Sequence, residues 1–212
     1  MGREIDDLLM RYSSGQLDAG LSLVVSSYVS MEPEARQKLE QYEEINAALL
    51  EYESPVELSD EALDTLLELL DKPENIEGPS KKFSFNEDLP LPIRALFDCD
   101  IDQKKWRFSY PGVKTLAIAD LCDNTEVRLL KIKPGKSAPR HTHDGIEATL
   151  VLRGAFKDGD KIYQRGDLAI ADDGVEHRPK AVGERECLCL AVTSGSLKFK
   201  DRLGRVVKDF IS

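Results

Sequence analysis

The chain has three histidines in 212 residues, and all of them fall in two short stretches. His141 and His143 stand with Glu147 between Gly135 and Gly154, and His177 follows in Gly174-Val175-Glu176-His177. Side chains two apart on a strand share a face. His141, His143 and Glu147 have the same parity, so an extended segment aims two imidazoles and a carboxylate to one side. Such a donor set suits Zn, Fe, Mn, Ni or Cu. Histidines on a surface loop are the plainer alternative, and the gathering of every histidine into two motifs argues against it.

The elements that must hold these residues are strands. From Leu89 onward the pattern is β, with short candidates at Val113–Ala119, Glu126–Ile132, Glu147–Arg153, Lys161–Tyr163, Leu168–Ala171 and Cys187–Thr193. Gly, Pro, Asp or Asn turns lie between them. Many short strands of this kind make a small antiparallel barrel or jelly roll, and the tail from Leu197 to Phe210 adds a last strand pair. Cys187 and Cys189 share one strand face. That is a poor geometry for a mutual disulfide, so they read as small buried hydrophobes, with a redox-sensitive pair near the metal as the functional alternative. Glu176 faces away from His177 and is solvated.

The spacing Gly135-x5-His141-x-His143-x3-Glu147-x6-Gly154 resembles the first cupin motif, and Gly166 to His177 resembles the second. Gly166, Gly174 and His177 match the second motif. Its usual proline is Asp172 here, and its closing asparagine is Ala181. The resemblance implies four metal ligands, His141, His143, Glu147 and His177, on one divalent ion. Zinc is the expectation after ordinary purification, with iron, manganese or nickel as the other candidates.

Ahead of the barrel the periodicity is helical. Ile5, Leu8, Leu9 and Tyr12 mark a helix over 5–13, stopped by Ser13-Ser14-Gly15. Asp18 caps the next, which runs through Leu21, Val24 and Tyr28. Pro33 opens a third that reaches Tyr52. A fourth runs from Asp60 to Asp71, with Ser59 as cap and Leu58 as staple. The core of this unit must come from Leu8, Leu9, Leu23, Val24, Leu39, Ile45 and Leu49. Four short helices make a small core, which usually needs a staple or a partner. Two prolines and a glycine between residues 71 and 88 read as a linker. The chain thus divides into a small helical bundle (1–72), a linker (73–88) and a barrel (89–212), a multi-domain α plus β protein.

Composition sets outer limits. The chain is 41% apolar and 32% charged, as soluble globular proteins are. No apolar run reaches the roughly 20 residues that span a bilayer, and the first residues lack the apolar core of a signal peptide. Cytoplasm is the expected compartment, with no membrane partner. All four cysteines, Cys99, Cys122, Cys187 and Cys189, lie after residue 98 and none forms a CxxC pair. Residues 1–80 carry a net charge of −14 and the remainder +4. The acidic half excludes direct nucleic-acid binding and suits a partner with a basic surface.

The segments Asp6-Asp7-Leu8-Leu9-Met10-Arg11-Tyr12-Ser13-Ser14-Gly15-Gln16-Leu17 and Leu21 to Arg36 resemble the helical domain of ChrR-type zinc-binding anti-sigma factors. That family joins such a domain to a cupin of this size, so the resemblance covers nearly the whole chain. The family's helical domain binds zinc through one histidine and a His-x3-Cys-x2-Cys run. The matching positions here are Arg3, Tyr28, Glu32 and Ala35, so no metal is expected in the helical part. An Arg3–Glu32 ion pair and the Tyr28 ring are the expected replacements.

The resemblance implies an anti-sigma factor that sequesters an ECF-type sigma factor through its helices and senses oxidative stress through the cupin. Self-association through the cupin is a further expectation. The alternatives are a metal-dependent cupin enzyme of dioxygenase type and a cupin that binds a small ligand without turnover. No second carboxylate or nucleophile stands out beside the ligands, and the helical extension is something a plain cupin enzyme does not need.

Overall fold

Residues Ala19–Met31 (AGLSLVVSSYVSM) are apolar or small on nearly every side, and a helix of that kind has to be covered on every side. In the computed structural model, which describes residues 2–57, 59, 61–71, 86–118, 125–173, 175–195 and 197–199, this helix is the middle layer. It is α2, between α1 (Arg3–Ser13) and α3 (Pro33–Leu50) on one side and a β-sheet on the other. Asp18 caps it as expected, accepting from the Leu21 amide at 2.8 Å. Pro33 stands in the first turn of α3, where its missing N–H costs nothing. A fourth helix, α4, spans Ala62–Asp71.

The β part contains eleven strands among the described residues: β1 (Arg107–Tyr110), β2 (Val113–Ala117), β3 (Thr125–Ile132), β4 (His141–His143), β5 (Glu147–Arg153), β6 (Ala155–Asp158), β7 (Lys161–Gln164), β8 (Leu168–Ala171), β9 (Lys180–Val182), β10 (Cys187–Ser194) and β11 (Leu197–Phe199). A six-stranded sheet runs β1-β2-β3-β10-β5-β8, a three-stranded sheet runs β7-β6-β9, and β4 pairs with β11. Every pairing is antiparallel. Helices followed by an antiparallel barrel are the architecture that the sequence pattern predicts.

Alternation along the central strands gives the large sheet two apolar faces. Val127 and Leu129 of β3, Ala148, Leu150 and Leu152 of β5, and Leu188, Leu190 and Val192 of β10 share one core with Leu8, Leu9, Val24, Val25 and Leu39 of the helices. The residues between them point the other way. Ile132, Val151, Cys187 and Cys189 form the barrel interior with Val113, Phe156 and Ala181. Each aliphatic side chain buried in either core is worth ~1.5–3 kcal/mol.

Several expectations change in detail. Leu8, Leu9, Val24 and Leu39 are buried and Leu23 is partly buried, but Ile45 and Leu49 are exposed on the far half of α3. The region after Leu89 begins with a helical turn, α5 (Leu91–Arg94), and a 3-10 turn (Ile101–Gln103) before any strand. Asn86 holds these turns by donating to the Cys99 carbonyl and accepting from the Ile101 amide. Arg3 makes no ion pair with Glu32 among the described residues; Glu32 instead accepts from the Glu34 amide at the start of α3. Tyr28 is buried, and burial together with the nearby Glu32 charge pushes its hydroxyl up to about 12. Leu58, Gly174 and the tail beyond Phe199 lie outside the described residues, as does most of the linker.

The layers approach closely at Gly20. A Cβ there would lie 2.8 Å from a methyl of Thr125 and 2.9 Å from a methyl of Val127. Asp18 reinforces the seat, accepting from the Thr125 hydroxyl at 3.1 Å with its second oxygen. Gly20→Val is expected to destabilise the full chain by about 2–3 kcal/mol, as overpacking of a close contact does. Urea unfolding of the two proteins measures this, and an unchanged midpoint would show that the layers have slack.

Candidate metal centre

The two histidine motifs meet through the backbone. His141 and His177 form an isolated antiparallel bridge, each amide donating to the other's carbonyl at 3.3 and 3.2 Å. Directly opposed residues put their side chains side by side, and the two rings lie 4.3 Å apart between centroids. Glu147 arrives after the turn that follows β4. That turn depends on Gly145, whose φ is +126° and whose Cβ would sit 2.6 Å from the Ser194 carbonyl. His141, His143 and Glu147 are all buried, as their shared parity predicts.

Ligand atoms of His141, Glu147 and His177 lie within 4.8 Å of one another. His141 Nε2 is 3.2 Å from Glu147 Oε2 and 3.0 Å from His177 Nε2, and His177 Nε2 is 3.6 Å from Glu147 Oε1. His143 stands beside this group, its ring centroid 5.6 Å from that of His177 and 6.3 Å from that of His141. Its Nε2 is buried and has no hydrogen-bond partner.

The other ring nitrogens fix the chemistry. Nδ1 of His141 meets the Pro139 carbonyl at 2.9 Å, Nδ1 of His143 meets the Gly145 carbonyl at 3.0 Å, and Nδ1 of His177 meets the Asp158 carboxylate at 2.8 Å. Those oxygens only accept, so each Nδ1 carries a proton, and each Nε2 is left either to hold a second proton against Glu147 or, once that proton is lost, to give a lone pair to a metal. Lone pairs and a carboxylate crowded around one point repel unless a cation lies among them. The donor set, the orphaned His143 Nε2 and the second-layer carboxylate of Asp158 all fit a divalent transition metal. Asp158 was not among the residues expected from the sequence; its partner lies 19 positions away across a sheet pairing that only the fold reveals.

The titration behaviour points the same way. Burial works most strongly against a charged His141, but its hydrogen bond to Glu147, the Glu147 charge and the Pro139 carbonyl together hold its pKa above the usual imidazole value. Burial would raise Glu147, yet the hydrogen bond from His141 and the charges of the neighbouring imidazoles bring it down to about 2. Thr149 also donates to Glu147, at 3.3 Å. Behind the centre, the sulfurs of Cys187 and Cys189 are 3.5 Å apart and buried. The contact with Cys187, then burial, pushes the Cys189 thiol well above the ordinary range, which keeps it protonated. An interior cavity of about 60 Å³ opens beside His141, Glu147 and Cys189, and Arg128 reaches it from β3.

Comparison with known proteins finds likeness over nearly the full length. Residues 95–197 match the ChrR Cupin-like domain. The Anti-sigma-E factor ChrR of Cereibacter sphaeroides is 34% identical over 205 residues, 97% of this chain and 95% of its own. This chain belongs to the ChrR family. The crystal structure of Rhodobacter sphaeroides SigE in complex with the anti-sigma ChrR superposes with a TM-score of 0.79 at 32% identity, covering 89% of this chain and 96% of that one. The likeness to ChrR thus includes the helices as well as the barrel. Among the described residues no helix is long and apolar enough to cross a membrane.

This ChrR-family centre should take up one divalent ion per chain, with His141→Ala or Glu147→Ala abolishing uptake and Asp158→Asn weakening it about 10–100-fold. Because the His141 pKa is raised, proton competition should begin above the ordinary imidazole range. Affinity should then fall about tenfold per pH unit for each proton displaced. Elemental analysis after dialysis against a chelator at pH 8, 6 and 5 tests both points. Metal retained equally at all three would contradict the assignment.

Proposed function

We propose that this chain is a cytoplasmic anti-sigma factor, in which the helical part, residues 1–72, holds a sigma factor and the cupin, residues 89–212, governs its release. The observation that carries the proposal is a bare apolar surface on the helices. Ile45 and Leu49 on the second half of α3 are 55% and 60% exposed, and Leu63, Leu66 and Leu67 of α4 are 64%, 54% and 48% exposed. An amphipathic helix with an uncovered apolar stripe is built to be covered by something. The net charge of −14 over residues 1–80 selects a partner with a basic face. The related ChrR was crystallised with a sigma factor, and the match to it includes the helices.

In this reading His141, His143, Glu147 and His177 hold one divalent ion, zinc as ordinarily purified, and Asp158 orients His177. The ion would tie β4, the start of β5 and the His177 bridge into one unit and so stiffen the sheet on which α2 rests. An oxidative signal that disturbs this unit weakens the support of the helices. Cys187 and Cys189 are the candidate thiols for that signal. A dioxygenase would use the same barrel but gives no reason for the bare stripe on α3 and α4.

Copurification with sigma factors from native cells tests the proposal. The full chain should recover a sigma factor in stoichiometric amount, Ile45→Asp with Leu66→Asp should lower the yield at least tenfold, and residues 89–212 alone should recover none. If the barrel alone captures the sigma factor as well as the full chain does, the helices are not the binding element.

A further inference from the structure

The barrel interior holds one charged group that neither the histidine centre nor the helix-docking face uses. Arg128 lies between Val127 and Leu129, which point to the helices, so its side chain points inward and lines the cavity. That side chain is only 11% exposed. Its Nη2 is buried and ion-paired with the carboxylate of Glu126, two residues along the same strand face and 58% exposed, without the geometry of a good hydrogen bond. Burial pulls the guanidinium below its usual pKa, with the Glu147 charge pulling the other way. A buried guanidinium is costly unless an anion meets it. Glu147 is engaged by His141, His177 and Thr149, and Glu126 sits towards the water.

The space beside Arg128 has two characters. Thr149 and Thr193 bring hydroxyls to it, while Leu130, Ile132 and Phe156 make an apolar wall. Ala191 pairs across the sheet with both Arg128 and Thr149, and its small side chain leaves room beside the guanidinium. A volume of about 60 Å³ admits a molecule of a few heavy atoms.

We propose that this cavity binds a small monocarboxylate, with its carboxylate on Arg128 in place of Glu126 and its short tail against Leu130, Ile132 and Phe156. The planar guanidinium pairs with a carboxylate through two parallel hydrogen bonds. Glu126 is the chain's own carboxylate at that position, exposed enough to turn into water when the ligand arrives. The proposal stands on Arg128 and the cavity and does not depend on sigma-factor binding.

Titration calorimetry of the full chain at constant ionic strength tests it, with sodium propionate, propionamide and inorganic phosphate as probes. Propionate should bind one per chain, and propionamide, which has the same shape without the charge, at least tenfold more weakly. Arg128→Gln should weaken propionate binding at least tenfold, with thermal unfolding showing that the variant is folded. Glu126→Gln removes the internal competitor at a largely exposed position and should tighten binding threefold or more. Equal affinity for propionamide overturns the proposal, as does phosphate binding in place of propionate. So does an unchanged affinity in folded Arg128→Gln, the result if the acid sat on a metal alone. If Arg128→Gln does not fold, Glu126→Gln decides: no tightening overturns the proposal.

Discussion

Alternation along β3, β5 and β10, interrupted only where β5 shifts register against β10 beside Leu188, is the constraint on which the rest of this structure depends. Glu147 faces the histidines while Ala148, its neighbour, faces α2. Thr193 faces the cavity while Val192 packs under the helices. A slip of one residue in any of these strands would exchange the two faces, putting carboxylate and hydroxyls against α2 and leucines into the centre. The register is held from both sides, because β10 runs between β3 and β5 and Thr193 stands opposite both Glu126 and Glu147. The candidate metal centre and the seat of the helices are therefore the two surfaces of one sheet.

That arrangement changes what holds the helical layer together. Of the positions that the family resemblance aligns with zinc ligands, Arg3, Tyr28, Glu32 and Ala35, two, Tyr28 and Ala35, are buried as ordinary packing. The helices gain their core from the barrel's outer face, through a cluster that runs without a break from Leu8 to Val192. Burial against a preformed sheet spares the helices from building a complete core of their own, which so few residues rarely manage.

Much of this was legible in the sequence, and the failures share a cause. Parity and spacing placed His141, His143 and Glu147 on one face, and Asp18 and Pro33 marked helix starts, because those signals are local. Ile45 and Leu49 were expected in a core because periodicity reports that a stripe is apolar, not whether this chain covers it. The sequence after Leu89 reads as β, but the segment opens with turns set by Asn86 bonding across 13 and 15 positions, which no local signal announces. Asp158 gave no local signal. Arg128 gave none either: between Val127 and Leu129 it reads as the solvent side of an alternating strand, and only the fold makes that side the barrel interior.

The glycine at position 20 limits how the two layers can part. With the methyls of Thr125 and Val127 both close to where its Cβ would be, α2 lies hard against β3, and sliding along the strand would drive backbone into side chain. Packed layers commonly move by such shear; this pair is keyed against it. A change in the barrel reaches the helices more easily by lifting them off the sheet or by tilting the sheet beneath them than by sliding the two layers past one another.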